Sequence, residues 1–207
     1  MFESCVDLVA EYNEVEQQLA SPDVHGDQAA ARQLGRRYAQ LRKKVLGLDK
    51  MLYCDIEAPL DPEFSPKTTF QEGAEIILEG IKIMGPEYTA IIAEGLKNRW
   101  IDLADNVGKS TGAFCNSVYG VHPYVLVTWT NNMRDAILLA HELGHAGQGV
   151  ISQRYQRLSN TRPSMFFIEA PSTINETLVG NSILAKATDV RMRRWLIMQF
   201  LMTYYHN

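Results

Sequence analysis

Residues 136–149 read AILLAHELGHAGQG, and this stretch decides how the rest of the chain is interpreted. An apolar run precedes the two histidines, and Asn131 or Asn132 is available as the N-cap of a helix. On a helix, His141 and His145 lie one turn apart and project from one face. The segment is apolar nearly all round, so we predict a helix in the interior of a domain.

The polar side chains of this helix have the spacing of a metal site. Two neutral imidazoles one turn apart can share one Zn²⁺ ion, and Glu142 is then placed to polarise a water molecule. A buried helix with two histidines and a glutamate needs partners for these groups, and a metal supplies them. The alternative is that His141 and His145 are hydrogen-bonded core residues without a metal.

A second segment, FFIEAPSTINETLVGN at 166–181, carries two further glutamates. A catalytic zinc takes three protein ligands and keeps one position open. Seven residues make two helical turns, so Glu169, Thr173 and Glu176 are predicted to share a helix face. Pro171 favours a first helical turn, which puts Glu169 at or just before a helix start. One carboxylate would complete the site and the other would orient a ligand histidine. The alternative is that both are ordinary solvated glutamates.

Several separate blocks of the sequence resemble one enzyme family. HELGHAGQ at 141–148 and FFIEAPSTINETL at 166–178 are similar to the oligoendopeptidase F branch of the M3 family of zinc oligopeptidases. Three upstream blocks resemble the same branch in the same order, namely KKVLGLDKMLYCDIEAPL at 43–60, RWIDLADNVGKSTGAFC at 99–115 and GVHPYVLVTW at 120–129. The resemblance covers about residues 41–207.

This resemblance implies a role for each matching residue. His141, His145 and Glu169 would hold one zinc ion per chain. Glu142 would be the general base, and Glu176 would support the ligands without binding the metal itself. The implied reaction is hydrolysis of internal peptide bonds in oligopeptides by a metal-activated water.

Two β-strands are predicted just before the motif. Residues 111–119 and 124–129 combine β-branched and aromatic residues, and a Gly-Val-His-Pro turn separates them. In the resembling family, a strand beside the metal pairs with the peptide substrate, and Gly112 and Ala113 match that strand. The alternative is a hairpin that only covers the core.

The chain also departs from the family. Oligoendopeptidases are much longer, and their His and Tyr donors to the developing oxyanion lie beyond the last residue of this sequence. We therefore expect a partial catalytic domain over 42–207, with activity impaired by truncation. Surface exposed by that truncation would favour self-association.

The N-terminal segment has a different character. Residues 6–41, which include SPDVHGDQAAARQLGRRYAQL, resemble the first helices of bacterial class-1 peptide chain release factors. Apolar residues at helical spacing on either side of Pro22 and Gly26 predict a helical hairpin over 1–41. The Gly-Gly-Gln tripeptide that carries release activity does not occur in the sequence. The alternative to a peptidase is therefore a fused or remnant helical protein, ribosome-associated but without release activity.

Composition limits the kinds of partner and the cellular compartment that we expect. The 207 residues are 46% hydrophobic with a net charge of −4, which suits one sizeable core and makes a nucleic-acid partner unlikely. The partner that the family resemblance implies is an oligopeptide substrate. No stretch is long enough to span a membrane, and we expect no membrane partner. Cys5, Cys54 and Cys115 include no CxxC pair, which favours a reducing cytoplasm.

The expected fold is mainly α, a helical zincin-type fragment with a small β-hairpin beside the HExxH helix. Thr68 or Thr69 is predicted to cap a helix that runs to about Met84. Pro86 is predicted to open another helix. A last helix is expected over 191–205.

Overall fold

The computed structural model describes residues 61–110 and 112–205, together with 47–50 and the positions 11, 14, 15, 36, 37, 40, 41, 43 and 44. The chain divides into two compact units, residues 1–63 and 64–207. In the first unit, the described positions up to residue 44 are helical, and Arg37 forms an ion pair with Glu11. Most of the predicted hairpin over 1–41, together with Cys5 and Cys54, lies outside the described residues.

The second unit is mainly helical with one small sheet, as the sequence predicts. From residue 61 onward its helices are α1 (Phe70–Ile81), α2 (Pro86–Lys97), α3 (Met133–Tyr155), α4 (Met165–Lys186) and α5 (Val190–Tyr205). Its strands are β1 (Ile101–Asp102), β2 (Ala113–Asn116) and β3 (Tyr124–Val127), and short 3₁₀ turns span Lys82–Met84 and Leu158–Asn160. None of the described helices is both long and apolar enough to cross a membrane.

Local sequence determines where the first two helices begin. The backbone N–H of Thr69 donates to Glu72 Oε2 at 2.8 Å, and the Glu72 N–H donates to Thr69 Oγ1 at 3.3 Å. This reciprocal pair satisfies two N–H groups that have no partner within the helix. Pro86 occupies the first turn of α2, where its missing N–H costs nothing. Both predicted starts are confirmed.

The sheet has the strand order β1-β3-β2. Strands β2 and β3 form the predicted antiparallel hairpin, with Ala113 opposite Val127, but each strand is shorter than predicted. Strand β1 runs parallel to β3 and was not predicted. With only two residues, β1 has no alternation that a sequence pattern could reveal.

Helix α3 is the interior helix that the sequence predicts. Leu139 and Leu143 are fully buried, and they belong to the same apolar cluster as Val125 and Val127 of β3. The cluster also takes in side chains of α1, α2, α4 and α5. Helix α3 is thereby held between the sheet and the other helices, and the histidine motif cannot shift without disturbing the core.

Candidate metal centre

The start of α3 is fixed by one carboxylate. Asp135 Oδ2 accepts hydrogen bonds from the N–H of Thr130 at 2.6 Å and from the N–H of Asn132 at 3.1 Å. Asn132 is the N-cap residue, one of the two predicted candidates. A negative charge at this end also suits the helix dipole. The motif that follows therefore sits in a helix of defined start.

The second segment of the site lies well inside α4. This helix begins at Met165, because the N–H groups of Phe167 and Ile168 already bond to the Ser164 carbonyl. The expectation that Glu169 stands at or before a helix start is therefore wrong, and Pro171 lies within the helix. A proline inside a helix removes one backbone hydrogen bond and crowds the carbonyl four residues before it, and α4 nevertheless continues through Pro171 to Lys186.

Helices α3 and α4 cross at very close range beside the histidines. A Cβ atom added to Gly144 would lie 2.5 Å from Ser172 Cα and 2.6 Å from the Pro171 carbonyl oxygen. Such distances leave no room for any other side chain at position 144. Gly144 thus allows α4 to bring Glu169 up to the two histidines. Sequence reasoning missed this role, although a glycine inside a helix is costly enough to require a reason.

The three predicted metal ligands come together. Glu169 Oε2 lies 3.2 Å from His141 Nε2 and 3.5 Å from His145 Nε2. All three ligand atoms fall within 4.8 Å of one another. Tetrahedral zinc with bonds of about 2.0–2.1 Å requires its ligand atoms to be roughly 3.3–3.4 Å apart. The two distances to Glu169 and the His-His-Glu donor set therefore fit a zinc ion.

Glu176 contacts the far side of one histidine. Its Oε2 lies 3.2 Å from His141 Nδ1, and Thr203 Oγ1 of α5 donates to its Oε1 at 3.2 Å. Nε2 is the ring atom that faces Glu169, and with a metal on Nε2 this contact would hold the ring proton on Nδ1. The hydrogen bond to Glu176 raises the pKa of His141, while burial opposes that shift.

The pKa values of Glu142 and His145 are shifted mainly by burial. Burial raises the pKa of Glu142, and the nearby Glu169 carboxylate adds to the effect, whereas His141 opposes it. Burial lowers the pKa of His145 against the pull of Glu169 and of the Ile168 carbonyl. No hydrogen bond of ordinary length and angle reaches the buried Nδ1 of His145 from the described residues. Glu142 is thus a buried carboxyl whose proton affinity is higher than that of an exposed glutamate.

Strand β2 lies next to the motif. Burial raises the pKa of the Cys115 thiol to about 12, and the Glu142 carboxylate contributes to this shift. Ala113 is half-buried at the start of the strand, and Gly112 before it is exposed with a φ of +89°. Among the residues described, β2 pairs only with β3, so its other edge faces no strand. The substrate role of Gly112 and Ala113 stays a prediction.

A buried polar network joins three helices behind the site. Tyr88 Oη donates to Asn175 Oδ1 at 2.9 Å, and Asn175 Nδ2 donates to the Ala140 carbonyl at 3.1 Å. Asn175 is fully buried, and it lies next to Glu176 in sequence as Ala140 lies next to His141. Sequence reasoning missed this network, because an asparagine in an amphipathic helix gives no indication of its partners.

Comparison with known proteins agrees with this geometry. The model of peptidase family M3 matches residues 2–198 of the chain. Oligopeptidase PepF of Bacillus subtilis is 37% identical over 165 residues, which are 80% of this chain and 25% of that protein. The oligoendopeptidase F homolog of Borreliella burgdorferi is 34% identical over 77% of this chain and 27% of its own length. The chain thus spans about a quarter of the length of these relatives.

Solved structures share the fold. A crystal structure of a Chlamydophila abortus protein superposes with a TM-score of 0.68 at 26% identity, over 96% of this chain and 32% of that one. A structure of PZ peptidase A with an inhibitor superposes with a TM-score of 0.60 over 70% of this chain and 26% of that one. The family match begins at residue 2 and includes segment 6–41, whose resemblance to release factors stays a prediction.

Proposed function

Because this chain belongs to peptidase family M3, we propose that it is a zinc-dependent endopeptidase that hydrolyses internal bonds of oligopeptides. The observation that carries the proposal is the convergence of His141, His145 and Glu169 on one point. The names of its relatives, oligopeptidase and oligoendopeptidase F, support oligopeptides as the substrate class.

The proposed metal would be held by Nε2 of His141, Nε2 of His145 and a carboxylate oxygen of Glu169. Three protein ligands leave one coordination position open, as catalytic rather than structural zinc requires. When bound, zinc supplies Lewis-acid chemistry, because it polarises water and the substrate carbonyl and lowers the pKa of water. Glu176 keeps the His141 ring in the orientation that presents Nε2.

Glu142 is the proposed general base. Glu142 is 5% exposed and lies in the same helical turn as His141. Burial raises its pKa, which makes it a better proton acceptor than an exposed glutamate. Glu142 would take a proton from the attacking water and pass it to the amine that leaves the cleaved bond.

Strand β2 is the proposed docking edge for the peptide. An extended substrate can add to the open edge of a sheet through main-chain hydrogen bonds. Gly112 and Ala113 have no bulky side chain, which permits a close approach of the two backbones. This placement would bring the peptide to the strand nearest the motif, because the Glu142 carboxylate contributes to the raised pKa of the Cys115 thiol in the same strand.

Replacing Glu142 by Gln tests the assignment of the base. The amide has nearly the same shape but cannot accept the proton, so peptide cleavage should fall by roughly 10²–10⁴-fold while zinc content is unchanged. Cleavage is measured on a quenched fluorescent oligopeptide with the zinc-loaded chain. Glu94→Gln, at an exposed position of α2, is the matched control and should behave as the unaltered chain. Full cleavage by Glu142→Gln, or none by the unaltered chain, would contradict the proposal.

A further inference from the structure

The loop between β1 and β2 contains a buried lysine, Lys109. The side chain of Lys109 is only 4% exposed. Its Nζ donates to the backbone carbonyls of Asp102 at 3.0 Å, Ala104 at 2.7 Å and Val127 at 3.2 Å. Nζ also lies 3.5 Å from Oδ1 of Asp102. An ammonium group has three N–H donors, so these three carbonyls satisfy it fully.

The three carbonyls come from different parts of the sheet. Asp102 ends β1, Ala104 lies in the loop that follows, and Val127 ends β3. Val127 is also the pairing partner of Ala113, the first residue of β2. Lys109 therefore ties the ends of two strands to the loop that leads into the third. Together with the pairing of β2 with β3, this side chain holds the place at which β2 begins.

The opposite end of the hairpin is anchored separately. Gln153 of α3 accepts a hydrogen bond from the N–H of Gly120 at 2.9 Å and donates to the carbonyl of Val118 at 3.1 Å. These bonds hold the turn between β2 and β3 against the helix that carries the histidines. Lys109 supplies the corresponding anchor at the open end, where Gly112 and Ala113 lie.

We propose that Lys109 is a positioning residue for peptide binding, because it fixes the start of β2 beside the metal centre before a peptide arrives. This inference rests on the proposed function. An edge strand that is already ordered costs less to pair with a peptide than one that must be ordered on binding. Among the residues described, no strand pairs with the outer edge of β2.

Lysine is suited to this position for a chemical reason. A buried ammonium is costly unless each of its protons finds an acceptor, and here each one does. A methionine of similar length would fill the space but leave three carbonyls without their donor. A glutamine would keep two N–H donors. The three side chains therefore form a graded series at one site.

Peptide affinity is the property to measure. The test uses the zinc-loaded Glu142→Gln chain, which should bind peptide without cleaving it, and a fluorescein-labelled oligopeptide followed by fluorescence anisotropy. Lys109→Met in this background should weaken binding by at least about tenfold. Its zinc affinity should change by less than roughly twofold, because His141, His145 and Glu169 lie on other elements. The peptide affinity of Lys109→Gln should lie between that of Lys109→Met and that of the chain with lysine. Lys109→Gln is the variant to measure if Lys109→Met does not fold.

A control separates positioning from general destabilisation. Ile77→Val removes a methyl group from the buried face of α1, an element outside the sheet, and should lower the unfolding temperature without weakening peptide binding. The inference would be overturned if the Lys109 variants bound peptide as tightly as the chain with lysine. It would also be overturned if Ile77→Val lost as much peptide affinity as Lys109→Met. If peptide does not bind even with Lys109 in place, the proposed function fails as well.

Discussion

At the scale of single residues, the two glutamates that contact His141 differ in their exposure to solvent. The Glu169 side chain is half-exposed and faces both Nε2 atoms, whereas Glu176 is buried and contacts Nδ1 of His141 and the hydroxyl of Thr203. A ligand must be reachable by the metal, while a supporting residue is more effective when its own position is fixed by packing. The exposure of each glutamate therefore indicates its role.

Replacing Glu176 by Gln should weaken zinc binding without abolishing it. The amide is a poorer acceptor for the His141 Nδ1 proton, so the ring is held and polarised less well. Loss of such a supporting group lowers metal affinity by about 10–100-fold. Competition with a fluorescent chelator measures the dissociation constant. Glu75→Gln, on the exposed side of α1, is the matched control, and an equal loss there would contradict the assignment.

Glu176 should influence how zinc affinity depends on pH. A histidine binds zinc only when its nitrogen is neutral, and the pKa of His141 in the metal-free chain is raised, chiefly by Glu176. As the pH is lowered, protons therefore begin to compete with zinc for His141 at a higher pH than they would for an ordinary histidine. The zinc affinity of the chain should fall as the pH passes below that point. In Glu176→Gln the onset should move to lower pH. Titrations of zinc affinity against pH test this, and an onset that does not move would contradict it.

At the scale of elements, the crossing of α3 and α4 creates the site. The sequence predicts both helices, since the apolar run before His141 and the spacing from Glu169 to Glu176 are local patterns. It does not predict the start of α4 correctly, because Pro171 is tolerated inside the helix by packing that no local pattern contains. The partners of Lys109, Gly144 and Asn175 are distant in sequence, which is why only the structure reveals them.

Gly144→Ala should damage both stability and the metal site. The added methyl group would overlap the α4 backbone at Ser172, so the two helices must separate or shift. Overpacking of this kind costs about 1–3 kcal/mol, and the shift should carry Glu169 away from the histidines. Urea unfolding and a zinc titration measure the two effects. Arg134→Ala, exposed on the same helix, should change neither, and full zinc affinity in Gly144→Ala would contradict the role of the crossing.

At the scale of the whole molecule, the described part of unit 64–207 brings together the proposed metal ligands, the proposed base and the proposed docking strand from three elements. Helix α3 carries the proposed base and two of the proposed ligands, α4 carries the third and the glutamate that would support His141, and β2 lies alongside with an edge that no described strand pairs with. The chain spans about a quarter of the length of its curated relatives, and this quarter contains the His-His-Glu cluster. Metal binding is therefore the property that this chain should display by itself.

The most direct test is the zinc content of the purified chain, measured by elemental analysis beside His145→Ala. About one zinc ion per chain is expected, with the metal lost from the variant, because two remaining ligands do not hold a catalytic zinc. The chain should first be stripped with a chelator and then reloaded, so that the ratio reflects the site. No zinc after reloading, or the same content in His145→Ala, would contradict the account.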